Sequence, residues 1–166
     1  MDIEKTKSWI YKRLQTEKSK FSSDSLEEED IKELSYDFLQ DLRAIFEHYV
    51  QAYEKIKIEG VKNPTDESIK EKLKTSFFIY DLADTKGFML FKKNYKLIFA
   101  YVKPGQVRIK FLKQKPFSET EVFVDTYLNA VSQDTMSIRW VHDNRKGFID
   151  KDILARYYMK RFLEEI

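Results

Sequence analysis

Between residues 31 and 56, apolar residues recur at intervals of three and four and fall on a single helical face. They occupy positions 31, 34, 38, 42, 45, 49, 53 and 56. This spacing predicts a helix from about residue 26 to residue 57, and Ser25 and Glu28 have the spacing of a capping box. Such a helix is about 48 Å long at ~1.5 Å per residue. Because this length exceeds the width of a small domain, we expect the helix to break, to protrude or to pair with another chain.

The segments on either side of this helix are also predicted to be helical. Residues 3–20 have a basic amphipathic pattern, with Ile3, Trp9, Ile10 and Leu14 on one side. This pattern has two interpretations: an arm whose Trp9 packs on the domain, or a helix that binds an anionic membrane or partner. Further along, "NPTDESIKEKLK" predicts a short helix over about 65–74, capped by Asn63 or Thr65.

The hydrophobic period changes after residue 75. Four runs rich in aromatic and β-branched residues, "SFFIYDL", "GFMLFK", "YKLIFAYVK" and "QVRIKFLK", are separated by short polar segments. This pattern predicts an antiparallel meander. The turn Lys103-Pro104-Gly105-Gln106 has Pro and Gly at its central positions, which is the type II pattern. The later run "TMSIRWV" predicts another strand.

The run "FSETEVFVDTYLNAVSQ", residues 117–133, carries two competing patterns. Its β-branched residues favour a strand. However, Ser118 and Glu121 have the spacing of a capping box, and Phe117 and Val122 that of a hydrophobic staple, so we predict a helix over about 119–131. The final run predicts an amphipathic helix, whose inward residues are Ile153, Leu154, Tyr157, Tyr158, Phe162 and Ile166.

These elements predict an α+β fold, an antiparallel β-meander of about five strands with flanking helices and a long N-terminal helical segment. We expect a single α+β domain over residues 23–166, helical over 26–74 and holding the sheet and C-terminal helices over 76–166. A basic amphipathic arm, residues 1–22, precedes it. The length of 166 residues and the hydrophobic content of 42% suit one domain with its own core.

Charge is unevenly distributed, although the net charge is only +2. Residues 85–118 carry nine Lys or Arg residues and no acid, which makes this segment a basic patch. The chain has no Cys, which excludes disulfides and thiolate chemistry. Its first residues are charged and contain no apolar run of signal-peptide length. We therefore expect a cytoplasmic protein and do not expect a membrane to be its partner.

The stretch "VHDNRKGFIDKDIL", residues 141–154, has the residue types of a calcium loop but not their order. With Gly147 at position 6, loop positions 1, 3, 5 and 12 are His142, Asn144, Lys146 and Ile153. Only the third position is acceptable, and an ammonium takes the place of a ligand. We predict a turn with Gly147 at positive φ, followed by Asp150 or Asp152 as the cap of the last helix.

Other chemistries also lack the residues they need. The chain has two His residues, too few for a three-His zinc site, and it has no phosphate loop, serine elbow or kinase signature. Asp84, Asn94 and Lys96 have the order of a metal-nuclease site, but the central carboxylate is an amide. The sequence therefore predicts no catalytic residue, metal or cofactor, and no family motif is recognised in it.

The basic and aromatic ribbon over residues 92–115 is the one positive signal. A two-residue turn would pair residues 102:107, 101:108, 100:109, 99:110 and 98:111, and would place aromatics and cations on one face. The candidate residues for binding a polyanion or partner are Lys92, Tyr95, Lys96, Phe99, Tyr101, Lys103, Arg108, Lys110 and Lys113. Such a face suits single-stranded nucleic acid. Alternatively, the cations simply cover a half-exposed sheet, or helices cover this face and make Phe99 and Tyr101 core residues.

The functional expectation follows from these exclusions. We expect a non-enzymatic interaction or adaptor module of unknown partner, either a protein or a second copy bound through the long helix. The alternative is a nucleic-acid or other polyanion-binding protein that uses the 92–115 ribbon. A third hypothesis, an enzyme with a carboxylate site, has no specific support in the sequence.

Overall fold

The computed structural model describes residues 5, 7–10, 27–59, 78–132, 137–143 and 145–165, with residues 56–59 described by their backbone alone. The elements are helix α1 (Glu28–Glu59), strands β1 (Phe78–Asp81), β2 (Gly87–Lys92), β3 (Tyr95–Lys103), β4 (Gln106–Lys113), β5 (Glu121–Ser132) and β6 (Ile138–His142), and helix α2 (Lys151–Glu165). The strands form one six-stranded sheet in the order β1 to β6, and every neighbouring pair is antiparallel. The predicted α+β meander is confirmed, with six strands in place of about five.

Helix α1 is continuous over its 32 residues, and its first turn is acidic. Ser25 of the predicted capping box lies outside the described residues. Its buried stripe consists of Phe38, Leu39, Leu42, Phe46 and Val50. This stripe packs on the sheet over residues 38–50, and α1 does not break along its described length. The predicted arm is described only at residues 5 and 7–10, which are helical, and Lys5 Nζ lies 4.0 Å from Asp37 of α1. The predicted 65–74 helix lies outside the described residues.

The core lies between one face of the sheet and the two helices, and it is dominated by aromatic rings. Phe38 of α1 stacks on Trp140 of β6 with ring centroids 4.4 Å apart. At the other end of the core, Phe162 of α2 packs on Phe111 of β4 at 5.6 Å. Burial of each such side chain stabilises the fold by ~1.5–3 kcal/mol. This face of the sheet is called the core face below.

The predicted helix over 119–131 is wrong, because residues 121–132 form β5. The strand pairs with β4 along one edge and with β6 along the other, so the sheet satisfies backbone groups that a helix would otherwise have paired. Phe117 is exposed at φ +60° and makes no staple with Val122. The β-branched residues therefore indicated the structure correctly, and the capping pattern did not.

The turn between β3 and β4 has the predicted type, since Gly105 adopts φ +80°. Its N–H donates to Ser35 Oγ of α1 at 2.9 Å, and that hydroxyl donates to the Ile31 carbonyl at 2.7 Å. On the other side, the Ala130 N–H of β5 donates to the Gly105 carbonyl at 2.8 Å. The turn is thus held between the helix and the neighbouring strand.

The register of this hairpin differs from the predicted one. Lys103 pairs with Gln106 across the turn, but the register shifts between Tyr101 and Lys103, and Tyr101 pairs with Val107. Val102 is therefore an extra residue on β3, a β-bulge. The predicted pairs from 102:107 to 98:111 are each wrong by one residue.

This shift exchanges the two faces of β3 relative to β4. Directly paired residues share a face, so a slip of one residue changes which side chains lie together. Leu97 and Phe99 belong to the core face and are fully buried. Ile98 and Ala100, which the predicted pairs place opposite Phe111 and Ile109, lie on the other face, opposite Lys110 and Arg108.

The C-terminal helix begins as predicted. The N–H of Ile153 donates to Asp150 Oδ1 at 3.0 Å, which makes Asp150 the cap, and Gly147 before it has φ +90°. The inward face is partly different from the prediction. Leu154, Ala155, Tyr158, Met159 and Phe162 are buried, whereas Ile153 and Tyr157 are exposed. The buried stripe is rotated because α2 contacts both the sheet and α1, so Ala155 and Met159 also face inward.

Candidate binding surface

Strand register assigns the side chains of the second sheet face, called the outer face below. Helices α1 and α2 both pack on the core face. Pairing across β1 to β5 places side chains of the outer face in three rows. The first row is Phe78, Phe91, Lys96, Leu112 and Val122; the second is Tyr80, Met89, Ile98, Lys110 and Asp125; the third is Gly87, Ala100, Arg108 and Tyr127. Apolar residues fill the β1–β3 side of these rows except at Lys96, and the other charged residues, Arg108, Lys110 and Asp125, lie on β4 and β5.

The apolar part of these rows is called the apolar half; its members are Phe78, Tyr80, Met89, Phe91, Ile98 and Ala100. Phe78 and Tyr80 on the edge strand are 47% and 46% exposed. The Tyr80 ring lies 6.3 Å from that of Phe78 and 6.4 Å from that of Phe91. An exposed apolar cluster of this kind, bordered by charged residues, is typical of a binding surface.

Three cations border the apolar half along β3 and β4. Lys96 Nζ lies 6.0 Å from the Phe91 ring centroid, and Lys110 and Arg108 follow on the next strand. Arg108 donates from Nε and Nη2 to both carboxylate oxygens of Asp125, at 2.8 and 2.6 Å. These hydrogen bonds lower the pKa of the Asp125 carboxyl below its ordinary value. The charge of Arg108 is therefore offset within the protein. Lys110 lies opposite the same carboxylate in the strand register and also lowers its pKa.

Phe99 is the predicted site residue that the structure removes from any surface. It is fully buried on the core face, with its ring 5.1 Å from Phe46, 5.1 Å from Phe88 and 5.8 Å from Tyr158. The prediction that Phe99 lies opposite the cations depended on the turn register, and the bulge at Val102 invalidates it. Phe99 therefore stabilises the core by packing, and its side chain is not accessible to a partner.

The remaining candidates are on or near the helix side of the sheet. Lys92 is buried, with Nζ 5.7 Å from the ring of Tyr53. Tyr95 is half-buried and stacks on Phe123 at 6.2 Å, with Lys113 Nζ 5.0 Å from its ring. These cation–π contacts support the interpretation of the ribbon cations as cover for aromatic rings.

Tyr101 and Lys103 complete the predicted set near the hairpin turn. Tyr101 is half-buried and meets Tyr36 of α1 edge to face at 4.9 Å, and burial raises its pKa. Lys103 is exposed beside the turn. The nine candidates are thus divided between two faces. Only Lys96, Arg108 and Lys110 come together on the outer face.

Sequence reasoning missed the apolar half itself. Phe78, Tyr80, Met89 and Phe91 were assigned to strands but not to the site. Alternation within "FIYD" and "GFMLFK" places these residues on one side of each strand, which is a usable signal. This alternation identifies a shared surface only when the strand register is known, because the register places Tyr80 beside Met89 and Met89 beside Ile98.

Both ring nitrogens of His142 form hydrogen bonds within the protein, which gives this residue a structural role. Its Nδ1 lies 2.6 Å from the Asp143 carbonyl oxygen, and its Nε2 lies 2.6 Å from Tyr158 Oη. A carbonyl only accepts, so Nδ1 carries the proton and Tyr158 donates to Nε2. Burial raises the pKa of Tyr158 to about 12. The pair joins β6 to α2.

The described residues include no cluster of three or more His, Cys, Asp or Glu side chains that could hold a metal ion. None of the helices in the same ranges combines the length and hydropathy needed to cross a membrane. Comparison with protein-family models, with curated proteins and with solved structures found no match to this chain.

Proposed function

We propose that the protein is a non-enzymatic interaction module that binds a protein partner through the apolar half of its outer face. The observation that carries the proposal is the asymmetry of the sheet. Both helices α1 and α2 cover one face, while the other presents aromatic and aliphatic side chains with two of them nearly half exposed. Burying such side chains against a partner releases ~25 cal/mol per Å² of apolar surface.

The composition of the surface favours a protein partner over a polyanion. Aromatic residues and Met are enriched at protein interfaces, and charged residues are concentrated at the rim. The apolar half has Phe, Tyr and Met at its centre, and Lys96, Lys110 and the Arg108–Asp125 pair at its border. Since Arg108 is held by Asp125, one of the three cations is already neutralised.

A photo-crosslinking amino acid at Met89 tests the proposal in an extract of the source cells. We expect one discrete adduct from Met89, and none from a control position at Ile153, which is 66% exposed on α2. Adding Phe91→Lys should remove the adduct without changing the melting temperature by more than a few degrees. Equal adducts from both positions, or an adduct that persists with Phe91→Lys, would contradict the proposal.

Polyanion binding is the second candidate, because Lys96 lies over Phe91 beside the exposed rings of Phe78 and Tyr80. Stacking surfaces next to cations are what single-stranded nucleic acid requires. Fluorescence anisotropy with a labelled oligo-dT at low salt measures it. We expect the double substitution Lys96→Glu and Lys110→Glu to abolish any binding, and Lys146→Glu, on the loop after β6, to leave it unchanged. Binding that survives the double substitution Lys96→Glu and Lys110→Glu would show that the outer face is not the polyanion site.

A further inference from the structure

The two edges of the sheet differ in whether described residues hydrogen-bond to them. At the β6 edge, the segment after the strand folds back on it: the Ile149 N–H donates to the Trp140 carbonyl at 2.8 Å, and Val141 forms a bridge with Phe148. No described residue pairs in this way with the outer edge of β1. Edge strands that present unpaired backbone groups are sites where another strand adds.

Backbone N–H and C=O groups of successive β1 residues point alternately towards β2 and away from it, and one hydrogen bond shows which residues point away. The Leu82 N–H donates to the Gly87 carbonyl at 3.3 Å, so Leu82 points its backbone towards β2. In an antiparallel ladder this direction alternates, so Tyr80 and Phe78 also point to β2, while Ile79 and Asp81 point outward. The outer edge of β1 therefore offers two N–H donors and two carbonyl acceptors.

Natural sheets protect an open edge with Lys, Pro, a bulge or an inward charge. The β1 sequence, "FIYD", contains no Lys or Pro, and it pairs with β2 without a bulge. Its one charge, Asp81, is 2.8 Å from Arg43 Nε of α1 and is thereby compensated. The short length of β1, four residues, limits the addition of a strand, but no Lys, Pro, bulge or uncompensated charge within it opposes one.

We propose that β1 pairs with β1 of a second copy of the chain, antiparallel about a two-fold axis at Tyr80. In this register Ile79 of each copy lies opposite Asp81 of the other, and the two pairs use every outward N–H and carbonyl of these residues. Tyr80 lies opposite Tyr80 of the second copy on the outer face, where aromatic pairs stabilise a sheet. The result is an isologous dimer with a continuous twelve-stranded sheet.

Two features of the structure favour a second copy as the occupant. The apolar half ends at β1, so a two-fold axis at this edge joins the apolar halves of both copies and covers the exposed flanks of Phe78 and Tyr80. The pairing also brings two Asp81 residues near the junction, and each already has Arg43 beside it. The axis therefore introduces no unpaired like charges. The dimer does not depend on the proposed protein partner, because its pairing uses only residues of this chain and is tested with the purified chain alone.

Disulfide trapping tests both the dimer and its register, and the absence of native Cys makes the result unambiguous. Directly opposed residues of a non-hydrogen-bonded pair have Cα atoms about 4.5 Å apart, which a disulfide spans. We expect the Tyr80→Cys protein to form a covalent dimer under mild oxidation. Phe78→Cys is the matched control, because it has nearly the same exposure on the same strand and face. In the proposed register its two copies lie about 14 Å apart along the strands, four residues at ~3.4 Å each.

Light scattering on the chain without substitutions gives the second readout. We expect a mass of twice the 20.0 kDa of one chain at high protein concentration, and a monomer for Tyr80→Lys, with circular dichroism showing that the variant is folded. A monomer at all concentrations, equal crosslinking of the two Cys variants, or a dimer that survives Tyr80→Lys would each overturn the proposal.

Discussion

The two faces of the sheet are built from alternate residues of the same strands, yet they differ in what they contact. On β3, Leu97 and Phe99 are fully buried under the helices, while Ile98 and Ala100 between them lie on the outer face with the exposed rings of β1. Hydrophobicity alone does not separate the two sets. The register determines which β4 residues lie beside each of them, and the bulge at Val102 sets that register.

The apolar residues on the outer face do not belong to the core under α1 and α2. A sheet with helices on one side needs apolar residues only on that side. The outer face nevertheless carries Phe78, Tyr80, Met89, Phe91 and Ile98 in adjacent positions. We infer from this contrast that the outer face has a binding function, whereas the core face maintains the fold.

The largest expected effect contrasts two phenylalanines on opposite faces. Phe99→Ala removes a ring that is fully buried among other rings, and we expect it to lower the free energy of unfolding by about 3–5 kcal/mol. Phe91→Ala on the outer face should cost about 1 kcal/mol, because its ring is only half-buried. Urea denaturation of both variants measures the difference. Equal losses would break the distinction between the faces.

A second contrast concerns two glycines with positive φ. An added Cβ at Gly87, where φ is +140°, would overlap the Phe99 carbonyl oxygen, so Gly87→Ala should force β2 and β3 apart and cost about 3 kcal/mol. Gly147→Ala keeps the strain of φ +90° but meets no atom within 4 Å, and should cost about 1 kcal/mol. Thermal unfolding ranks the two variants. A larger loss at Gly147 would contradict the close approach at Gly87.

The third prediction uses pH to probe the core side of the molecule. Tyr158 has a pKa raised by burial to about 12, above the unfolded value of about 10. Its contribution is fully present below pH 10 and is lost as pH rises towards 12, which should lower stability by about 2–3 kcal/mol. Urea midpoints from pH 9 to 12 measure this loss. In Tyr158→Phe the urea midpoint should fall less between pH 9 and 12. If it falls as much as in the unsubstituted protein, other groups cause the loss of stability.

The smallest stability effect is expected at the Arg108–Asp125 pair. Both side chains are more than a third exposed, so Asp125→Asn should cost less than about 1 kcal/mol. The substitution also releases Arg108, and we expect stronger retention on a heparin column at low salt. A large loss of stability would show that the outer-face pair supports the fold. Unchanged retention would show that Arg108 is not available to polyanions.

Much of the fold could be predicted from the sequence because local signals agreed with the final structure. The period of three and four in α1, the cap at Asp150 and the Pro-Gly turn each depend on residues close together in the chain. The β5 segment shows the limit. Its capping pattern is local, but its pairing with β4 and β6 is not, and the long-range pairing prevailed.

The candidate site was predictable only in part, for a related reason. Lys96, Arg108 and Lys110 do share the outer face, but Phe99 does not, because one extra residue at Val102 changes the face of everything before it on β3. That bulge accompanies the packing of Tyr101 on Tyr36 and the bond from Gly105 to Ser35. These contacts connect the turn to a helix 70 residues earlier, and no pattern within the ribbon contains them.

The most direct test of the two-face account compares neighbouring residues on β3 as single cysteines in a chain that has none of its own. We predict that Ile98→Cys reacts readily with a thiol reagent in the folded protein, and that Phe99→Cys reacts only when the protein unfolds, at least about a hundredfold more slowly. Circular dichroism confirms that both variants are folded. If Phe99→Cys reacted quickly and Ile98→Cys were protected, the register would be the one predicted from the two-residue turn, and the assignment of the outer face would be contradicted.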